Sequence, residues 1–440
     1  MSIFSYLRKD MLARFIAAIR QEGFRSTVAR TWAYIKADRA GQGRSALLNL
    51  GAGHPSISSV YLARFWQELA RKDAFHISQP PSTTTTARRI AMIGDLNLPQ
   101  CRKYRVEQLV EFWGAQGIDF AYAHYEDIPR ATGILHNATH LMFYRSLNTP
   151  LTSMYLYEAR RLRLPILYDL DDPLFSISAY ETYENMKALP PRMKAHFITE
   201  APKYLDAMNL ADIVTVSTPE MRDHTRLYTN RPVYFRRNFA DAETFSAADA
   251  ALRAVERGDD SPFRVAFASG SMGHEIDFAL ISDDIVAFLA ADPARQLVIL
   301  GHFDKTLLPD GLQGQLETHA FAGYDAYLET LASVDCAVMP LTDDIFNRCK
   351  SAVRVIDASA VAVPSLVTTV GDMANMVRDG ETGRILAAGD SWLEALEGLA
   401  ADRDATKHMG QAARSNLEAN WSNRTDLPIV EPEVLDWVKA

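Results

Sequence analysis

Cysteine is scarce in this chain. Cys101, Cys336 and Cys349 are the only three in 440 residues, and no two of them form a CxxC pair. That count argues against a disulfide framework or a zinc cluster, and it suits a reducing compartment. Long apolar runs are also missing, since nothing approaches the roughly 20 residues needed to span a bilayer. Arg8, Lys9, Asp10 and Arg14 interrupt the start of the chain, so no signal-peptide core is read there. A surplus of positive charge is absent too. The net charge is −9, which argues against nucleic-acid binding over a broad basic surface. The expectation is a soluble, cytoplasmic protein.

What is present is ordinary globular composition, 48% hydrophobic and 23% charged, at a length that fits two or three domains. Residues 1–44 stand apart, with nine Lys/Arg against three acids, which leaves the remainder near −15. Phe4, Leu7, Met11 and Phe15 fall at helical spacing, as do Phe24, Val28, Trp32 and Ile35, with Gly23 between the two sets. A basic amphipathic pair of this kind suits either peripheral contact with an anionic membrane surface or a helical hairpin packed on its own protein. Pro80, Pro81 and the run Thr83 to Thr86 read as a linker.

From residue 88 the pattern is strand, loop, helix, repeated. Arg89–Gly94, His140–Arg145, Leu164–Leu167, Ala211–Thr218 and Val233–Phe235 are short apolar runs separated by helical spacing, including a helix with Val106, Leu109, Val110 and Trp113 apolar. The pattern restarts after an Ala-, Asp- and Gly-rich stretch at 246–261, with Phe263–Ala268, Gln296–Gly301, Val334–Pro340 and Val363–Val367. Alternation of this kind implies parallel sheets with right-handed crossovers. No GxGxxG motif is present, so a dinucleotide fingerprint is absent.

The densest chemistry is Tyr168-Asp169-Leu170-Asp171-Asp172-Pro173, three carboxylates within four residues at the end of a strand. Carboxylates this close repel, a cost that a ligand or a cation would offset. A solvated Asx turn explains the spacing equally well. The other concentration is Asn347-Arg348-Cys349-Lys350-Ser351-Ala352-Val353-Arg354-Val355-Ile356-Asp357. With a helix starting at Lys350, residues 350, 354 and 357 share one face. The turn Gly270-Ser271-Met272-Gly273-His274 offers small residues and backbone N–H groups ahead of a helix. His136 and His140 are four apart but precede a strand, so they do not read as a metal pair.

From about 88 to 420 the chain resembles GT-B glycosyltransferases, close to the family 4 type of bacterial surface polysaccharide synthesis. "ADIVTVSTPEM", "RRNFADAETF" with Asn238, Asp241 and Phe245, "QLVILGHFD", "ASVDCAVMPL", "VIDASAVAVPSLVTTVG" and "VRDGETGRIL" occur in the family's order, and "YDLDDPLF" looks like a subgroup found among O-antigen and capsule transferases. The resemblance implies an α/β fold: an N-terminal helical extension and linker (1–80), an acceptor domain (88–245), a nucleotide-sugar domain (262–420) and a C-terminal segment that returns to the first domain (421–440). It implies a retaining transferase of hexosyl type with a nucleotide-sugar as co-substrate, no cofactor and no metal, acting on a lipid-linked or growing glycan; the basic residues 1–44, outside the resemblance, would on the membrane reading hold it at the inner face.

Residue by residue, Lys350 and Arg354 would hold the diphosphate and Asp357 the ribose. Gly270, Ser271, Gly273, His274, Asn347 and Ser351 would complete the donor side. Asp171, Asp172 and Arg145 are assigned to catalysis and to orienting the acceptor hydroxyl. Asp169, Tyr104 and Arg105 are assigned to the acceptor wall. Two departures stand out. The family has glutamates eight residues apart here; the second matches Asp357, but the first falls on Cys349, with Asp343 or Asp344 as substitutes. No histidine accompanies Arg145. An epimerase of the same fold, or a non-catalytic partner that binds glycan or protein, remains the alternative. A glycosidase built on the paired acids fits the Lys and Arg set poorly.

Overall fold

The computed structural model describes residues 87–440, apart from 256–260, 271, 272, 321 and 425–428, and ahead of them only isolated residues between 16 and 32. All but those isolated residues of the basic extension read at 1–44, and Ser271 and Met272 of the glycine turn, therefore lie outside the described residues. Residues 74–148 and 154–440 belong to one compact unit, which holds both sheets.

The first sheet has six parallel strands in the order β2-β1-β3-β4-β5-β6. They are β1 (Arg89–Gly94), β2 (Asp119–His124), β3 (His140–Tyr144), β4 (Ile166–Leu170), β5 (Ile213–Val216) and β6 (Val233–Phe235). Strands β3, β4 and β5 are buried along their whole length, as expected for strands covered by helices on both faces. The strand order reverses between β1 and β3, which opens a crevice at their C-terminal ends. Gly94 ends β1 there, and a Cβ in its place would overlap the backbone of Tyr144.

The second sheet, also of six parallel strands, has the order β12-β11-β10-β7-β8-β9. Its strands are β7 (Phe263–Gly270), β8 (Arg295–Gly301), β9 (Leu316–His319), β10 (Cys336–Met339), β11 (Ser365–Thr368) and β12 (Gly383–Leu386). Here the order reverses between β7 and β10. Apolar clusters cover its two faces, one centred on Phe267, Phe278 and Leu396, the other on Ile356, Val367 and Leu417.

Two local readings change. The Ala-rich connection between the sheets is a helix over Ala242–Ala254, because Asp241 caps it by accepting from the Thr244 N–H and alanine favours helix. The first helix is not regular. Pro99–Arg102 and Gln108–Ala115 are joined by a wide i→i+5 turn at Lys103–Glu107. That turn buries Lys103, Tyr104 and Arg105 in succession, which a regular helix would not do, and it leaves Val110 48% exposed. The chain end lies on the first sheet. Ala240 N–H donates to the Trp421 carbonyl, and the helix Pro432–Lys439 buries Val434 and Val438 beside Ile90 and Leu109.

Candidate functional site

The reversal points put two sets of charged side chains at strand ends. On the first sheet, Arg145 follows β3 with φ +43, a left-handed backbone that costs a non-glycine residue energy. Its Nη1 lies 2.5 Å from Asp171 Oδ1 and 3.1 Å from Asp172 Oδ2. Tyr144 OH donates weakly to Asp171, at 3.4 Å. The two acids are driven apart. Burial would raise Asp171, but the charges of Arg145 and Arg105 outweigh it and hold the group below the usual carboxylate range. Burial and the Asp171 charge push Asp172 up, although Arg145 touches it too. Asp172 is also the more exposed of the two, at 28% against 10% for the side chains. A pair set up this way has one permanent anion and one group able to exchange a proton.

Asp169 is different. It is fully buried at the end of β4 and saturated. Arg105 Nη2 donates to it at 2.8 and 2.7 Å, Arg236 Nη2 at 2.9 Å and Thr215 Oγ1 at 2.6 Å. Arg105 is equally enclosed, its Nη1 donating to the Arg236 carbonyl at 2.6 Å and to Asn238 Oδ1 at 3.2 Å. Placing Asp169 and Arg105 on an acceptor wall is therefore incorrect. With Arg236 they form a buried charge network in which both Asp169 oxygens and the Arg105 guanidinium are bonded, while Arg236 Nη1 is buried without a partner.

On the second sheet, Asp277 is the hub. It is fully buried and accepts from His274 Nδ1 (2.8 Å), Asn185 Nδ2 (2.7 Å), Thr342 N–H (3.0 Å) and Thr342 Oγ1 (2.8 Å). Burial opposes its charge, but the His274 hydrogen bond and the Lys350 charge prevail and keep it ionised. His274 is lowered to about 3 by burial and by the charges of Arg354 and Lys350, so it is neutral. The geometry fits the tautomer with Nδ1–H on Asp277 and Nε2 accepting from Arg354 Nη2 at 3.1 Å. Arg354 Nη1 is buried without a hydrogen-bond partner, and so is Asn347 Oδ1. A buried guanidinium N–H with no acceptor costs free energy until a ligand supplies one. Lys350 Nζ bonds the Tyr183 hydroxyl at 2.9 Å.

Several donor-side readings change. Lys350 does not open a helix, because the helix runs Val353–Ala360 and Lys350 sits in the turn before it. Asp357 does not join Lys350 and Arg354. Its carboxylate accepts from Tyr104 OH, a short bond, and from Tyr324 OH at 2.9 Å, and it is 1% exposed. Tyr104 is thus inserted into the second domain and lines no cleft. Ser351 accepts from Asn238 Nδ2 at 2.9 Å, which ties the two domains together. The Gly273 N–H is taken by Glu275 Oε2 at 2.8 Å. Cys349 is buried, and burial raises its thiol to about 12. Asp343 pairs with Arg348 at 2.6 Å and Asp344 caps the helix Ile345–Arg348, so both substitutes for the missing glutamate are engaged. His136 pairs with Glu158 at 2.8 Å, while His140 packs edge-on against Trp437. Sequence reasoning missed Asp277, Thr342, Tyr183 and Asn185, of which Asp277 alone gave a signal, an acid just past a glycine turn.

Residues 264–402 match the family model described as glycosyl transferases group 1. No curated protein is a significant match. Among solved structures, Anabaena HepE in complex with UDP and glucose aligns at a TM-score of 0.52 and 13% identity, covering 80% of this chain and 100% of that one. A glycosyltransferase from Rickettsia africae aligns at a TM-score of 0.51 and 10% identity, covering 81% and 98%. Two facing Rossmann-like domains of GT-B type are therefore the fold.

Proposed function

From a GT-B chain whose second domain matches the group 1 glycosyl transferases, a match that supports glycosyltransferase activity, we propose a nucleotide-sugar-dependent transferase that retains anomeric configuration and builds a lipid-linked or growing surface glycan. The observation that carries this reading is the Lys350 and Arg354 pair beside the β7 and β10 ends, with Arg354 Nη1 buried and unpartnered. An anion with several oxygens satisfies that N–H, and a nucleoside diphosphate is such an anion. HepE was solved with UDP-glucose, and this chain shares its fold.

As the C1–O bond to the diphosphate breaks, negative charge grows on the leaving oxygen. Lys350 and Arg354 neutralise it without a metal. The acceptor hydroxyl bonds to C1 and loses its proton, which Asp172 takes, while Arg145 holds Asp172 in place and the charge of Asp171 raises its proton affinity. The cytoplasmic face of a membrane supplies a lipid-linked acceptor. Liposome co-sedimentation of the full chain against one lacking residues 1–44 tests that placement, and equal binding refutes it.

The activity is tested by incubating the protein with UDP-, GDP- and dTDP-sugars, with and without a lipid-linked acceptor. Acceptor-dependent nucleotide release that is lost in Lys350→Ala and Arg354→Ala is the expected result. Formation of an epimer without nucleotide release overturns the assignment in favour of an isomerase.

A further inference from the structure

A stretch of the first domain reaches the donor residues of the second. It follows the acid cluster: a short helix at Ile177–Thr182, Tyr183, and a 3₁₀ turn at Glu184–Ala188. Ser176 caps the helix by accepting from the Ala179 N–H, and Tyr180 stacks on Phe197 of the long helix Pro191–Asn209 with centroids 5.6 Å apart. The stretch is thereby anchored on its own domain.

Two of its residues, Tyr183 and Asn185, make specific contacts on the other side. The Tyr183 ring stacks on Phe346 at 4.3 Å and 8°, and its hydroxyl accepts from Lys350 Nζ at 2.9 Å. Lys350 forms no ion pair among the described residues, so this hydroxyl, not a carboxylate, sets where the ammonium points. One hydrogen bond uses one of its three N–H groups and leaves two for an anion. Asn185, 2% exposed, donates to Asp277 at 2.7 Å. Its carbonyl packs on Gly273, where φ is +108 and a Cβ would stand 3.1 Å from that oxygen. Asn185 thus braces the carboxylate that orients His274, and His274 in turn bonds Arg354.

We infer that the anion site is completed across the domain boundary, with Tyr183 and Asn185 of the first domain acting as positioning residues for Lys350 and for the Asp277–His274–Arg354 chain. The inference rests on the donor reading above. It goes further by making the cation set dependent on docking of the 177–188 stretch, so that affinity for a diphosphate registers domain closure. A lysine pre-aimed by a neutral hydroxyl loses less side-chain freedom when the anion arrives, and this is the source of the gain.

The test is calorimetry on the full-length protein with UDP, GDP and uridine as probes. Tyr183→Phe keeps the stack on Phe346 and removes only the hydroxyl. It is expected to weaken the better-bound diphosphate by about tenfold, the equivalent of one hydrogen bond to a charged group, with uridine affinity changed less than twofold. Combined with Lys350→Ala it should add little beyond Lys350→Ala alone, because the hydroxyl's shorter bond is to that lysine at 2.9 Å and its other one, accepted from Asn185 Nδ2, is 3.2 Å. Asn185→Ala should weaken diphosphate binding, and Asn185→Asp should weaken it further by setting a second carboxylate against Asp277. Wild-type diphosphate affinity in Tyr183→Phe, equal losses for UDP and uridine, or additivity with Lys350→Ala overturns the inference while leaving the donor reading intact. A wild-type protein that binds neither UDP nor GDP overturns both.

Discussion

Asp357 offers a sharp test, because its burial and its family role predict different things. If it reads a ribose, Asp357→Asn should abolish nucleotide binding. In the structure it is 1% exposed and bonded to Tyr104 and Tyr324, with Lys103 near but not paired to it. Burial raises it to about 6, against the hydrogen bonds from the two tyrosines. Its unfolded value is about 3.9. A group raised on folding contributes stability that is fully present below the unfolded value and is lost as pH rises through the folded one. The shift is roughly two units at about 1.36 kcal/mol each, and most of it is expressed between about pH 4.5 and about pH 7.5. An asparagine side chain at this position does not titrate. The stability of Asp357→Asn relative to wild type should therefore rise by about 2 kcal/mol over that interval, read by guanidinium denaturation of both proteins at each pH. Subtracting the two curves removes every other titrating group, including Asp169 and Asp277, whose folded values are depressed and act in the opposite direction. Parallel pH courses for the two proteins would refute the buried assignment, as would loss of nucleotide binding at unchanged stability.

Asp169→Asn should cost about 3–5 kcal/mol at neutral pH in the same denaturation assay, because it leaves Arg105 and Arg236 buried without a counter-charge. Burial opposes the Asp169 charge, but the two arginines depress the group, so its contribution in the wild type is present above the unfolded value and fades as pH falls through the folded one. Asp172→Asn should lower turnover by about a hundredfold or more while leaving diphosphate affinity within about twofold in calorimetry; equal loss of both places it on the donor. Gly410→Ala should destabilise, although alanine is favoured by about 1 kcal/mol within a helix. Gly410 lies in the helix Arg403–Asn420, and a Cβ there would overlap the Ala362 carbonyl, so thermal unfolding should move down rather than up.

Nine strands were legible because buried parallel strands are near-continuous apolar runs, and most of these end at a glycine, a proline or a charged residue. These nine of the twelve described strands follow from that signal, as does the place of the acid cluster at the end of β4, while β2, β9 and β12 were not legible because they are only partly buried and carry polar or charged residues. The helix after Lys350 was misread at its start because Ala352 occupies the cap position and no side chain marks it. Without a cap signal the spacing of 350, 354 and 357 looked like one face. Tyr104 and Arg105 were legible as residues near the site but not as buried ones, because the wide turn that buries them has no sequence signature. Tyr183 and Asn185 were invisible for another reason. They lie in short one-turn elements without periodicity, and their partners are 167 and 92 residues away.

The cluster Asp169, Asp171 and Asp172 shows why spacing cannot assign roles. Three identical side chains in four residues meet three environments, and the environments follow from strand geometry. Asp169 is inside β4, so its side chain projects into the layer where Arg105 and Arg236 wait, and it becomes a fixed charge. Asp171 is the first residue past the strand and takes the close arm of Arg145, at 2.5 Å. Asp172 receives the far contact, at 3.1 Å, and keeps the most exposure. Asp172 has the least cationic compensation of the three, and it is raised where Asp169 and Asp171 are depressed. The like-charge repulsion that made the cluster look costly is what lifts the last member. Neutralising Asp171 should therefore lower Asp172, because it removes the neighbouring charge and frees Arg145 for Asp172 alone. In Asp171→Asn the acidic limb of the pH–rate profile should move to lower pH, while Asp172→Asn should abolish that limb. A limb that stays in place in Asp171→Asn would show that the titrating group is not Asp172.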